Sequence, residues 1–289
     1  MQYGIPAPAY RLPSGTHVGS ARLLVSDLDR SLEYYQRVVG LRVVSSNRSA
    51  VALGPHDGDS ALLHLETRPG TKPPPRGGRL GLYHFALLLP HRASLGQFVR
   101  HLGENETHVA SADHGVSEAL YLWDPDGLGI EVYADRPRDA WRVQGQEIFM
   151  TTERLNIQSL LAAAGNRPWS GIPAGTSLGH MHLQVGDLER AEAFYHAALG
   201  FDKIVWNFPG ALFMSAGGYH HHLGTNTWAA GAGEATENEA RLLEWRLVLP
   251  TTDDRLRAAE SLREAGYAVV HDEESWVVSD PWNTTLRLT

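Results

Sequence analysis

Short stretches in which apolar and polar residues alternate recur along the chain: ARLLV at 21–25, AVALG at 50–54, LYHFALLLP at 82–90, EALYLW at 118–123, GIEVYA at 129–134 and HMHLQV at 180–185. A period of two puts successive side chains on opposite faces, so each stretch reads as a β-strand with one greasy face and one polar face. Between the strands the period changes. Leu28, Leu32, Tyr35 and Val39 fall at i, i+4, i+7 and i+11, the single apolar stripe of an α-helix. Asp27 stands where its carboxylate can accept from the free amides of the first turn, and Gly40 supplies a left-handed stop. Further helices are predicted around Leu95 to Leu102, within NIQSLLAAAG at 156–165, and around Asp253 to Ala265.

The pattern is duplicated. VSDLDRSLEYYQRVVGL, Val25 to Leu41, aligns without gaps on VGDLERAEAFYHAALGF, Val185 to Phe201, and LYHFALLLP aligns on LLEWRLVLP at the same displacement of 160 residues. Two segments at one offset indicate an internal repeat. Each copy holds two strand–helix–strand–strand–strand units, which predicts an α+β protein of four βαβββ modules in two tandem domains, 1–135 and 176–289. A linker, 136–175, carries one short helix between them. TRPGTKPPPRGG at 67–78 and the segment Asn226 to Ala240 have the composition of loops, and long loops in compact domains are candidate lids or binding loops.

Composition narrows the chemistry. The chain contains no cysteine, which removes disulfides, iron–sulfur clusters and thiolate zinc sites, so any metal must be held by histidine and carboxylate. A net charge of -8 with no cluster of Lys and Arg argues against nucleic acid or an anionic membrane surface as partner. The N-terminal MQYGIPAPAYRLPSG lacks the basic start and apolar core of a secretory signal. No run approaches the roughly 18 apolar residues of a membrane span, and the chain is read as cytoplasmic.

Strand parity then selects candidate residues. His84 shares a face with Ala86, opposite Phe85, Leu87 and Leu89; Glu131 and Tyr133 oppose Ile130 and Val132; His180, His182 and Gln184 oppose Met181, Leu183 and Val185. If the modules curl into a cup lined by the polar faces, His84, Glu131 and His180 project into one hollow. Two imidazoles and one carboxylate, with the opposite positions open, are the facial triad of non-haem Fe(II) oxygenases.

GHMHLQVGDLERAEAFYHAALGF, LYHFALLLP and YLWDPDGLGIEVYADRP together resemble the vicinal oxygen chelate superfamily, with its glyoxalase/bleomycin resistance/dioxygenase-like fold. Within it the likeness is to extradiol ring-cleaving dioxygenases of the catechol 2,3-dioxygenase type, and it covers nearly the whole chain. The resemblance implies a ligand histidine five residues before the Val of V-x-D-L, which selects His180 over His182 and leaves Ser20 at the matching place in the first copy. It implies His84 and Glu131 as the other metal ligands, with Glu244 and Arg287 as their counterparts in the fourth module. Familiar members pair modules one with two and three with four, which here would leave both cups with incomplete donor sets. Pairing modules two and three completes one set, and an ion pair between Glu244 and Arg287 is expected in the other cup.

The resemblance further implies a distal histidine that handles protons. His221 fits by alignment of H-H-x-L, while strict strand alternation puts His220 and His222 on the opposite face and makes His222 the alternative. Tyr121, ten positions before Glu131, matches a tyrosine that hydrogen-bonds the substrate hydroxyl, and His114 resembles a further active-site histidine at a shorter spacing than usual. The implied activity is Fe(II)- and O2-dependent meta-cleavage of a catechol or related dihydroxylated aromatic, with Mn(II) as the other metal candidate. A glyoxalase- or lyase-type metalloenzyme, favoured if His222 were a fourth ligand, and a non-catalytic small-molecule binding protein are the alternatives. Many relatives assemble, so a homo-oligomer belongs to the same expectation.

Overall fold

The computed structural model of the chain describes residues 3–58 and 60–289. All four expected modules are present. In the first, the strand His17–Leu24 leads through the helix Leu28–Tyr34 to the strands Arg42–Ser46, Ala50–Gly54 and Leu63–Glu66. The second runs Gly81–Leu88, helix Arg92–Glu104, Ala110–Asp113, Ser117–Trp123 and Gly129–Asp135. The third runs Ser177–Gln184, helix Leu188–Ala191, Asp202–Val205, Ala211–Ser215 and Leu223–Asn226, and the fourth Arg241–Val248, helix Thr252–Glu264, Val269–Asp272, Ser275–Ser279 and Thr285–Leu288.

Asp27 and Asp187 cap their helices by accepting from the amides of Arg30 and Arg190. The apolar stripe, however, is not carried by α-helix throughout. Beyond Tyr34 the backbone widens into a π-helical turn, Tyr35–Val39, and Glu192–Ala198 does the same in the third module. Gly40, at φ 88°, then ends the first helix as expected. The wider turns carry Tyr35 Oη to Asp124 Oδ2 at 3.2 Å and Tyr195 Oη to Asp280 Oδ2 at 2.8 Å. Both aspartates open turns in the following module, so these bonds fasten module one to two and three to four.

The sheets are built the other way. Two eight-stranded sheets form, and each takes one module from each half of the chain. His17–Leu24 pairs antiparallel with Arg241–Val248 to join modules one and four, and Gly81–Leu88 pairs antiparallel with Ser177–Gln184 to join modules two and three. In the second sheet Ala86 faces His180 across one strand boundary and Glu131 across the other, while His84 faces His182. Phe85, Leu87 and Leu89, on the reverse of that strand, belong to the main apolar core together with Leu95, Phe98 and Leu102 of the module's helix.

The linker holds the predicted helix, Ile157–Ala164, capped by Asn156, and also a small ribbon of Val143–Gln144 and Glu147–Ile148 that the alternation did not announce. Its helix lies against Arg92–Glu104 so closely that a Cβ on Gly96 would run into the carbonyl oxygen of Leu160. The two long loops are sewn to each other: Lys72 N donates to Asn238 O at 2.9 Å, Leu80 N to Gly233 O at 3.0 Å, and Arg79 holds Glu239 with two bonds of 2.9 and 2.7 Å. Among the described residues no helix is long and apolar enough to cross a membrane.

Candidate metal centre and active site

The register of the second sheet brings three distant side chains to one point. His84 Nε2 lies 3.0 Å and His180 Nε2 3.1 Å from the same carboxylate oxygen, Glu131 Oε2. One ligand atom from each of the three lies within 4.8 Å of the others, and all three residues are buried. His84 Nε2 and His180 Nδ1 are buried without a hydrogen-bond partner among the described residues. Burial alone would raise the Glu131 carboxyl, but the imidazoles of His180 and His84 hold it well below the usual carboxylate range. Burial pushes His84 down, with Glu131 pulling the other way. A buried carboxylate whose pKa is held low beside imidazoles with unsatisfied nitrogens is an arrangement that a divalent cation completes, and the two-nitrogen, one-oxygen set suits it.

A cavity of about 300 Å³ opens over His84 and Glu131. His180 does not reach its surface; the ring of His221 lies beside it, centroids 4.1 Å apart, and His221 lines the cavity instead. Tyr121 and His114 line another part of the wall. His114 Nδ1 stands 2.6 Å from the carbonyl oxygen of Thr151, so Nδ1 carries the proton, and Tyr121 Oη therefore donates to His114 Nε2, also at 2.6 Å. Burial, and then the charge of Glu131, push the Tyr121 phenol well above its ordinary value and keep it protonated. Met150, Phe208 and Phe213 form apolar walls, the half-exposed indoles of Trp123 and Trp228 flank the opening, and among the described residues no Lys or Arg lines the cavity.

The run at 220–222 departs from the expected pattern. These histidines precede the strand Leu223–Asn226 in an irregular turn, so strand alternation does not govern them. His221 faces the cavity; His222 turns away, its Nδ1 accepting from the amide of Ala216 at 3.2 Å and its ring lying against Tyr219. Burial and the neighbouring His220 lower His222 to about 3. Among the described residues His222 is not one of the side chains that converge with His84, Glu131 and His180.

Several wall residues escaped the sequence pattern. His182 shares the face of His180, lines the cavity beside His84, and has its Nε2 occupied by Asn226 Nδ2 at 3.0 Å. Its parity was visible; its contact with Asn226 was not. Met150, Thr152 and the carbonyl of Thr151 come from the linker, which shows no periodicity that would have pointed to them.

The other sheet presents the matching positions without the donors. Arg287 Nε meets Glu244 Oε2 at 2.9 Å, as expected, and its Nη1 also reaches Asp272 Oδ2 at 2.6 Å and Ser275 Oγ at 2.7 Å. Ser20 is buried in place of a histidine.

Comparison with known proteins adds a second line of observation. Residues 16–132 and 177–275 match the family described as Glyoxalase/Bleomycin resistance protein/Dioxygenase superfamily. The chain is 44% identical over 270 residues to the catechol-2,3-dioxygenase of Bacillus subtilis (strain 168), spanning 92% of this chain and 94% of that protein. A lactoylglutathione lyase of Haemophilus influenzae is 32% identical over 117 residues, 38% of this chain and 85% of that protein. Among solved structures, glyoxalase I from Zea mays shares the fold, with a TM-score of 0.54 at 17% identity, covering 95% of this chain and 92% of that one.

Proposed function

The chain belongs to the glyoxalase/bleomycin resistance protein/dioxygenase superfamily, and from that premise we propose that it is an extradiol ring-cleaving dioxygenase that opens a catechol or related dihydroxylated aromatic with O2. The ion is Fe(II), with Mn(II) the other ion the same donors accept, and His84, Glu131 and His180 hold it. The observation that carries this reading is identity of 44% over 92% of the chain to a protein named catechol-2,3-dioxygenase. The donor set supports it, because two imidazoles and one carboxylate leave positions open for a diol and dioxygen together. The lyase matches cover 38% to 43% of the chain, and His222, the candidate fourth ligand of that alternative, is bonded to Ala216 instead.

When bound, the ferrous ion supplies neighbouring open positions and lowers the pKa of a hydroxyl it binds. The protein supplies the rest. Tyr121, its hydroxyl hydrogen bonded to His114, offers an oxygen lone pair to one substrate hydroxyl. His221 stands in the wall to handle the proton released there. Aromatic and aliphatic side chains exclude water from the ring and strengthen these polar contacts. The carbon–carbon bond beside the diol breaks and both atoms of O2 end in the product, a muconic semialdehyde, so no external reductant is consumed.

The experiment that tests this is reconstitution of the protein with Fe(II) under argon, followed by catechol and air. A yellow ring-fission product with matching oxygen uptake is expected. A panel of catechols giving neither colour nor oxygen consumption would sink the reading and leave the lyase and binding-protein alternatives.

A further inference from the structure

Behind His221 a string of hydrogen bonds leaves the cavity wall and ends near the protein surface. His221 Nδ1 lies 2.8 Å from His220 Nδ1, and His220 Nε2 lies 2.8 Å from Asp135 Oδ1. Tyr219 Oη donates to the same carboxylate oxygen at 3.2 Å and stands 2.7 Å from Tyr133 Oη. The His220 side chain is fully buried, whereas that of Asp135 is 26% exposed. The rings of Tyr219 and Trp141 flank His220 at centroid distances of 4.0 and 5.3 Å, so rotating its imidazole would require displacing both.

Donor and acceptor rules fix where the hydrogens sit. A carboxylate only accepts, so His220 Nε2 carries a proton. In a neutral His220 the other nitrogen then has only a lone pair, and the hydrogen shared between the two rings belongs to His221 Nδ1. The second nitrogen of His221 has no partner among the described residues, and the residue lines the cavity. We propose that Asp135 and His220 are positioning residues that hold His221 in its Nδ1–H tautomer, so that an unprotonated Nε2 is offered to a bound diol as a proton acceptor.

The other side of the cavity is polarised in the same sense. Thr151 O orients His114, and His114 accepts the hydrogen bond of the Tyr121 hydroxyl, which leaves the Tyr121 Oη lone pairs as acceptors. Two acceptors fit a ligand that brings two hydroxyl donors. When His221 Nε2 takes a proton, the Nδ1 proton of the same ring can pass to His220 Nδ1, and the imidazolium formed there faces Asp135. One proton enters the string and no other reactant is needed. The inference rests on the role proposed above for His221, but the tautomer itself does not depend on turnover.

The test reads that tautomer. Full-length protein with 15N-labelled histidine, loaded with Zn(II) as a diamagnetic ion, gives two-bond 1H–15N correlations that distinguish Nδ1–H from Nε2–H, and the His221 signals are those missing from His221→Gln. The wild type is expected in the Nδ1–H form. Asp135→Asn, whose amide can donate to His220 Nε2 and reverse the string, is expected in the Nε2–H form. With Fe(II)-loaded enzyme, Asp135→Asn lowers kcat roughly 10- to 100-fold while KM moves less than about threefold, and Asp135→Glu recovers most of the loss. His220→Phe, which keeps a ring between Tyr219 and Trp141, breaks the string by a second route if Asp135→Asn folds poorly. The proposal is overturned by a wild-type His221 in the Nε2–H form, by an Asp135→Asn spectrum unchanged from wild type, or by an Asp135→Asn kcat within about twofold of wild type. A protein inactive on every catechol would end the dioxygenase reading and leave the tautomer result standing.

Discussion

Ala86 lies in register between His180 on one neighbouring strand and Glu131 on the other. Its counterpart in the repeat is Arg246, which faces Arg287 as Ala86 faces Glu131. A methyl group leaves the space above the strand to the donors on either side; in the other sheet Arg246 reaches into it and comes within 3.6 Å of Glu244. Ala86→Leu is therefore expected to fold with a loss of about 1 to 3 kcal/mol, from overpacking, and to retain less than about a tenth of the wild-type metal. Metal analysis beside a denaturation curve checks it, and a folded Leu variant with full metal content would mean that the donors do not converge over Ala86. The cavity wall makes a similar choice among substrates. With no Lys or Arg among its described lining residues, a carboxylate on the ring would be desolvated without a partner. Catechol and methylcatechols should exceed 3,4-dihydroxybenzoate by about tenfold or more in kcat/KM, and equal values would contradict it. Parity made His84 and Glu131 legible in the sequence. The role of Ala86 was not, because a period of two says which way a side chain points and not which strand lies beside it.

At the scale of elements, the hydrophobic periods marked the module helices and most module strands, but missed the strands Ala110–Asp113 and Val269–Asp272 and how the helices end. The π-helical turns bring Tyr35 to Asp124 and Tyr195 to Asp280, and an i, i+4, i+7 stripe is equally compatible with a plain α-helix. The histidine run left His222 open beside His221 for a related reason: alternation was applied to residues that precede the strand. The Asp124 turn is a structural hub. Its Oδ1 accepts from the amides of Asp126 and Leu128, both at 2.9 Å. Burial nevertheless pushes its carboxyl up to about 6, against those bonds. A folded-state pKa above the unfolded value of 3.8 means that the native state favours the protonated form. That contribution is complete below the unfolded value and is lost as pH rises through the folded one. Asp124→Asn cannot titrate, so the stability difference between wild type and variant should shift against the wild type by up to about 2 to 3 kcal/mol between about pH 4 and pH 7. Urea denaturation at both ends of that range measures it, and a difference independent of pH would show that the carboxyl is not perturbed.

For the whole molecule, duplication produced two sheets that each borrow a module from both halves, and among the described residues only one of them gathers a donor set. Donor accounting alone pointed to this pairing from the sequence, since the alternative left both cups incomplete; the apolar patterns of the modules are too alike to decide it. The second sheet keeps the repeat's geometry and replaces ligands by charges that satisfy one another: Glu244 and Asp272 on either side of Arg287. Removing one member of such a cluster leaves a partly buried charge without its partner, which costs about 3 kcal/mol, yet none of these groups lines the cavity over His84 and Glu131. Arg287→Ala should therefore unfold at lower denaturant while keeping the wild-type kcat and one bound metal per chain, whereas His84→Ala should lose the metal and the turnover together. If Arg287→Ala instead slowed catalysis without losing stability, the ionic sheet would be coupled to the chemistry, and the division of labour between the two copies would have to be abandoned.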